Sequence, residues 1–168
     1  MYITTHPSPL GLLTLASDGE SLSGLWIAEQ KYHGTESADG ESRGFSSAKK
    51  AATLSIFDET AAWLERYFGG EKPAIDTLPL APQGSDFRRA VWALLCEIPY
   101  GAVTSYGALA RKMGGGKNLA RAVGGAVGHN PISIIIPCHR VVGADGSLVG
   151  YAGGLAVKRR LLELEGSL

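Results

Sequence analysis

The stretch from residue 72 to residue 84 constrains this chain more than any other feature, because Pro73, Pro79, Pro82 and Gly84 all fall within it. Proline fixes φ and lacks the amide hydrogen that helices and ladders use, so no regular element runs through such a segment. It reads as an extended connector dividing the 168 residues into 1–83 and 84–168. Each piece has the length of one small domain, and a larger assembly of domains is excluded.

In the first piece, residues 12–16 and 22–27 are apolar runs flanking Ser17, Asp18, Gly19 and Glu20, which predicts a hairpin. Residues 33–47 are polar, rich in Gly and Ser and without apolar periodicity, and read as a loop. From about Ser47 to Phe68 the set Phe57, Ala61, Leu64 and Phe68 recurs at helical spacing, and Gly69-Gly70 supplies a stop. Beyond the connector, Ser85 is a candidate N-cap for a helix with inner face Phe87, Val91, Leu94, Leu95 and Ile98, ended by Pro99. Thr104 or Ser105 caps a second helix to about Met113, Gly114 to Gly116 break it, and Asn118 caps a third to about Val127. Two short helices across a glycine turn predict a helix-turn-helix.

The third helix holds almost only small residues and one long cation, Arg121. Two readings stand side by side. Such a helix packs tightly against a neighbour, or it presents a smooth surface to a nucleic-acid backbone while Arg121 reaches into the duplex. Charge bears on the choice. Sixteen basic and sixteen acidic side chains cancel, but residues 1–83 carry six basic against eleven acidic and residues 84–168 carry ten against five. The C-terminal half can therefore face phosphate. No basic and apolar leader opens the chain and no apolar run is long enough to span a bilayer, which predicts a soluble, cytoplasmic protein without a membrane partner. Cys96 and Cys138 are too few for a disulfide framework or a Cys-rich zinc site, and no metal is expected.

Residues 132–136 form an apolar, β-branched run interrupted only by Ser133, read as a buried strand that Pro137 ends. Cys138-His139-Arg140 follows directly. A free cysteine is only a few per cent thiolate at neutral pH, and a neighbouring histidine held by a carboxylate can take its proton and raise that fraction. For a bare Cys-His pair, a small buried thiol beside a surface imidazole is the commoner case.

The flanking residues resolve that ambiguity. Ile136-Pro137-Cys138-His139-Arg140-Val141-Val142 resembles the active-site signature of the O6-alkylguanine-DNA alkyltransferases. GAVTSYGAL at 101–109, ARAVGGA at 120–126, GHNP at 128–131, GYAGGL at 150–155 and LLELEG at 161–166 match in the same order. The resemblance covers residues 84–167 strongly and the first half by general layout.

It implies an α+β fold: a small N-terminal α/β, ribonuclease-H-like domain supporting a C-terminal helical, winged-helix-like domain that contains the helix-turn-helix. It implies that Cys138 takes the alkyl group from guanine O6 as a permanent thioether, once per molecule, and without a cofactor. His139 would accept the thiol proton through water, Glu165 rather than Glu163 would orient the imidazole, and Tyr106 would donate to the guanine ring nitrogen. Asn130 would brace the turn before Pro131. Arg121 would fill the gap left by a flipped base, with Ala120 and Gly124 beside it on the same helix, while Val141, Tyr151 and Ala152 would line the base site. The partner would be double-stranded DNA carrying O6-alkylguanine, entered from the minor groove, with Arg111, Lys112 and Lys117 as phosphate contacts and the protein acting as a monomer. Activity on O4-alkylthymine and cooperativity along DNA stay open, and His6, His33 and His129 are read as non-catalytic. A lesion-binding relative without chemistry lacks the reactive cysteine, a Cys-His hydrolase needs an oxyanion hole that nothing here specifies, and a methylation-sensing regulator needs a further DNA-reading domain.

Overall fold

The structure, a computed structural model, describes residues 1–31, 35–36, 42–43, 49–50 and 53–168. The chain forms two compact units, residues 1–83 together with 131–135, and residues 84–130 together with 136–168. Among the described residues no helix is long and apolar enough to cross a membrane.

The first unit is built on a sheet in the order β3-β2-β1-β6, with β1 (Tyr2–Ser8), β2 (Gly11–Ser17), β3 (Leu22–Ile27) and β6 (Lys49–Lys50). The predicted hairpin is β2 and β3, antiparallel from Leu13 opposite Ile27. Gly24 has a specific duty there, because an added Cβ would lie 1.9 Å from the Trp26 ring. Strand β1 was not anticipated, since Pro7 and the Thr4-Thr5-His6 run mask its alternation; it pairs along its length with β2.

Within the expected loop, β4 (Thr35–Glu36) pairs with β5 (Ser42–Arg43), and the rest of residues 33–47, His33 included, lies outside the described residues. Helix α1 is Ser55–Phe68 and does not begin near Ser47, because β6 commits residues 49–50 to a parallel ladder with β1 and Leu54 is extended. Its buried face is Ile56, Phe57, Thr60, Trp63, Leu64 and Tyr67. Trp63 and Tyr67, four residues apart, stack at 5.4 Å and shift that face away from Ala61 and Phe68. The Trp63 indole donates to the Ala74 carbonyl at 3.0 Å, fastening the connector to the helix.

Residues 132–136 are not a strand. Leu25 donates to the Pro131 carbonyl and accepts from the Ser133 amide, and only Ile132 bridges to β3. The chain then turns at Ile134 with φ of 72°, a left-handed conformation that a β-branched residue rarely adopts. Ile132, Ile134 and Ile135 are nonetheless almost wholly buried. Burial, not extension, accounts for the apolar run.

In the second unit, Ser85 caps α2 (Asp86–Cys96) by accepting from the Arg88 amide, and Ser105 caps α3 (Tyr106–Lys112) by accepting from the Ala108 amide. Helix α4 is Lys117–Gly128, and its N-cap is Gly116; Asn118, expected as the cap, already lies in the first turn. Helices α3 and α4 are the predicted helix-turn-helix, with α2 packed against α4. Trp92 of α2 donates its indole hydrogen to the Ala126 carbonyl of α4 at 2.8 Å. A parallel pair, β7 (Thr104–Ser105) and β8 (Val141–Val142), and α5 (Leu155–Leu164) complete the unit.

Candidate active site

The site begins at an inverse γ-turn. Pro137 sits at φ −82° and ψ 62°, the Cys138 amide donates to the Ile136 carbonyl at 2.8 Å, and residues Cys138–Arg140 continue as one 3-10 turn. The turn lies between Asn130, at the end of α4, and β8. Asn130 is buried, and its side-chain amide donates both to the Ile136 carbonyl at 2.8 Å and to the Cys138 Sγ at 3.1 Å. One amide thus braces the turn and touches the sulfur.

His139 is fully buried, and its Nε2 donates to Glu165 Oε1 at 2.7 Å. Glu165 follows the last turn of α5, where its backbone is still helical. Arg140 grips the same carboxylate with two nitrogens, Nε to Oε2 at 2.9 Å and Nη2 to Oε1 at 3.0 Å, and donates a third to the Ile98 carbonyl. Such a fork both orients and neutralises a buried carboxylate. With Nε2 carrying the hydrogen, the lone pair of His139 falls on Nδ1, a buried atom with no hydrogen-bond partner among the described residues. An imidazole oriented by a carboxylate and holding an unused lone pair is a general base awaiting a proton.

Electrostatics keep the resting pair neutral. Burial pushes the Cys138 thiol up, against opposition from the Asn130 hydrogen bond, the Lys158 charge and the amides of Cys138 and His139. Burial pulls His139 down despite Glu165, with Arg140 and Lys158 acting in the same direction. A raised resting thiolate fraction is therefore not what the site provides, and the thiol rests protonated. Tyr106, at the start of α3, is also raised by burial and so remains a donor; its hydroxyl donates to the Val149 carbonyl at 2.9 Å.

Residues 86–167 match the family described as 6-O-methylguanine DNA methyltransferase, DNA binding domain, and residues 1–82 match its ribonuclease-like domain. The chain belongs to the 6-O-methylguanine DNA methyltransferase family. It is 43% identical to the methylated-DNA–protein-cysteine methyltransferase of Haemophilus influenzae over 98% of this chain and 86% of that protein. Against the protein of the same name from Methanosarcina acetivorans it is 43% identical over 99% of both. The crystal structure of Mycobacterium tuberculosis OGT in complex with DNA superposes with a TM-score of 0.83 at 42% identity, covering 99% of this chain and 94% of that one. The two-domain α+β fold of the methyltransferase family is thus the fold of this chain.

Within this methyltransferase, Asn130 bonds to Cys138 and the next residue, His139, bonds to Glu165, while Glu163 is exposed on the other side of its helix turn. Val141 is buried in β8, while Tyr151 and Ala152 are half-buried in the segment before α5. Gly124 lies against Tyr106: an added Cβ would be 3.7 Å from its ring. Arg121 joins none of these contacts. It is exposed on α4 with Asn118, Ala122 and Gly125, one solvent-facing stripe at helical spacing, and Ala120 is half-buried beside it. Arg111, Lys112 and Lys117 are exposed, Lys112 within 3.6 Å of Glu97. His6 is half-buried, and His129 bonds to the Gly125 carbonyl of its own helix. Two residues escaped the sequence reading. Arg140 was visible in the motif, but its hold on Glu165 was not. Lys158 gave no signal, because the adjacent Arg159 and Arg160 make it look like part of a solvated cationic patch.

Proposed function

We propose that Cys138 is the acceptor in this protein's reaction: DNA repair by transfer of an alkyl group from O6-alkylguanine in DNA to a cysteine of the protein itself. Family membership carries the reaction class and DNA as the partner. The observation that carries the residue assignment is the buried, unpartnered Nδ1 of His139, the residue that follows Cys138, with Nε2 anchored on Glu165.

The Cys138 S–H proton passes through water to His139 Nδ1, and Glu165 stabilises the imidazolium that forms. The sulfur attacks the alkyl carbon as the carbon–O6 bond breaks, and the departing electron pair is neutralised by a hydrogen from the Tyr106 hydroxyl at the guanine ring nitrogen. The imidazolium proton then returns through water to the Tyr106 oxygen, so that the net exchange is one S–H hydrogen for one alkyl group. A thioether has no carbonyl for water to attack, so each chain reacts once. The target carbon lies inside the duplex, and flipping its nucleotide out costs a few kcal/mol. The exposed stripe of α4 suits close approach through the minor groove, with Arg121 occupying the space left behind. On this reading residues 84–168 bind DNA and carry the chemistry, residues 1–83 support them, and a monomer with no cofactor acts in the cytoplasm.

The test is intact-protein mass after incubation with methylated duplex, followed by peptide mapping. One methyl group per chain, on the peptide holding Cys138, is expected. Cys138→Ser should bind the same duplex and gain no mass, and label on that variant would remove Cys138 from the role.

A further inference from the structure

Two non-glycine residues among the described ones adopt a left-handed backbone, Glu29 at φ 62° and Ile134 at φ 72°. They are far apart in sequence, and each adjoins one member of a buried hydrogen-bonded pair. The Ser133 hydroxyl donates to Gln30 Oε1 at 2.9 Å, and the Ile27 amide donates to the same oxygen at 3.0 Å. Both side chains of the pair are buried. A satisfied polar pair inside a core fixes a geometry that apolar packing alone leaves free.

The geometry fixed here is a strained one. The Ile135 amide donates to the Ser133 carbonyl at 2.8 Å across Ile134, which closes a γ-turn of the rare, left-handed kind. A β-branched residue holds that conformation only while its surroundings impose it. The imposing contacts are the Ser133 hydroxyl on Gln30 and the Leu25 amide and carbonyl on Pro131 and Ser133. All of them lie in the first unit, to which residues 131–135 belong. Ile136 then opens the turn at Cys138: its carbonyl accepts from the Cys138 amide and from the Asn130 side chain, each at 2.8 Å. Only Ile135 separates the strained residue from that carbonyl, so the direction in which the chain leaves Ile134 sets where the Cys138 sulfur stands. Displacing a reacting atom by about 1 Å is enough to slow an aligned attack.

We propose that Gln30 is a positioning residue of the transfer reaction: through the Ser133 hydroxyl it holds the γ-turn at Ile134, and that turn fixes the line along which the Cys138 sulfur meets the alkyl carbon. This gives residues 1–83 a part in the rate of transfer beyond support of the fold, and it rests on Cys138 being the acceptor.

Single-turnover transfer from methylated duplex, followed by intact mass, tests it with Gln30→Leu, Ser133→Ala and the double variant. Gln30→Leu keeps the bulk and strands two buried donors, whereas Ser133→Ala removes one donor and leaves the Ile27 bond intact. Transfer at saturating duplex should slow on the order of tenfold in Gln30→Leu and about threefold in Ser133→Ala. The double variant should be no slower than Gln30→Leu, since both changes break one link. Reaction with free O6-benzylguanine should slow by the same factors, because the defect lies at the sulfur. Two readouts separate positioning from folding. The fraction of chains finally methylated should stay at the wild-type value, and duplex affinity, measured with Cys138→Ser added, should stay within about twofold of the Cys138→Ser parent. A wild-type rate in either folded single variant overturns the proposal. So do slowing factors that multiply in the double variant, a methylated fraction that falls with the rate, a loss of affinity equal to the loss of rate, or failure of both single variants to fold. A wild-type chain that takes up no methyl overturns the acceptor assignment instead, which keeps the two failures apart.

Discussion

The sulfur of Cys138 rests protonated because burial outweighs the Asn130 amide, the Lys158 charge and two backbone N–H groups together. Its neighbour rests neutral for the same reason. On the proposed assignment the imidazole acts at the moment of reaction and not before. Replacing His139 with Gln, which can still donate to Glu165 but holds no proton, should slow transfer near neutral pH on the order of a hundredfold. The deficit should shrink as pH rises toward the thiol's own elevated pKa, where solvent removes the proton unaided, and a rate–pH profile of the two proteins checks this. A parallel effect on stability follows. The folded imidazole titrates below its usual 6.5, so the unfolded chain binds a proton first as pH falls. This contribution is complete above that value and is lost as pH drops toward the depressed folded pKa. Between about pH 7.5 and about pH 5.5 the wild-type Tm should fall, and the Tm of His139→Gln should fall less. At this scale the sequence was informative where chemistry is local. Cys138 and His139 are adjacent and mark themselves, whereas Glu165 was placed only through resemblance. Lys158 was invisible, since nothing in Lys158-Arg159-Arg160 says which of three helical cations points inward.

Helix α4 packs through one face, and its opposite face is open to solvent and available for the duplex contact proposed for its small residues. Val123, Ala126 and Val127 are buried, Ala126 accepting the Trp92 indole bond, while Arg121, Ala122 and Gly125 face solvent. Gly125 separates packing from binding, because a Cβ there would meet nothing within 4 Å and its backbone is helical. Gly125→Ala should raise stability by about 0.5–1 kcal/mol, the ordinary gain within a helix. Gly125→Phe should leave the fold intact but weaken duplex binding on the order of tenfold, about 1.4 kcal/mol. Thermal melts and duplex titrations of the pair decide it, and a Phe variant that binds normally would show that this face stays clear of DNA. The helices of the second unit were legible because their caps are local: Ser85 and Ser105 each bond three residues ahead. Elements defined by remote partners were not. Strand β6 exists through β1, and the turn at 132–135 takes its shape from Leu25, far away in sequence. An apolar run reports burial, and burial alone does not distinguish a strand from a tight turn.

For the molecule as a whole, a net charge of zero hides the relevant quantity, which is the number of cations in the C-terminal half that solvent can reach. Of the ten basic residues in 84–168, Arg140 and Lys158 are buried and committed to the site. Arg89 and Lys112 lie beside Asp86 and Glu97 on the surface, pairs that exposure makes weak. Arg88 is half-buried on α2, and Arg111, Lys117, Arg121, Arg159 and Arg160 remain exposed as candidates for phosphate contact. Each phosphate neutralised on duplex DNA releases condensed counter-ions and adds about 0.9 to the slope of log affinity against log salt. If four of these five side chains touch phosphate, that slope should be about −3.6 for unmodified duplex, where no lesion contributes. Arg111→Ala with Lys117→Ala should flatten it by about 1.8 and weaken binding to alkylated and plain duplex alike. Arg121→Ala should behave differently: assigned to the vacated stack, it should slow transfer from duplex while leaving reaction with free O6-benzylguanine unchanged. Filter-binding titrations across a salt series, set beside single-turnover rates on both substrates, resolve the two kinds of cation. A double variant with the wild-type slope would take Arg111 and Lys117 off the DNA, and equal losses on both substrates would take Arg121 out of the duplex.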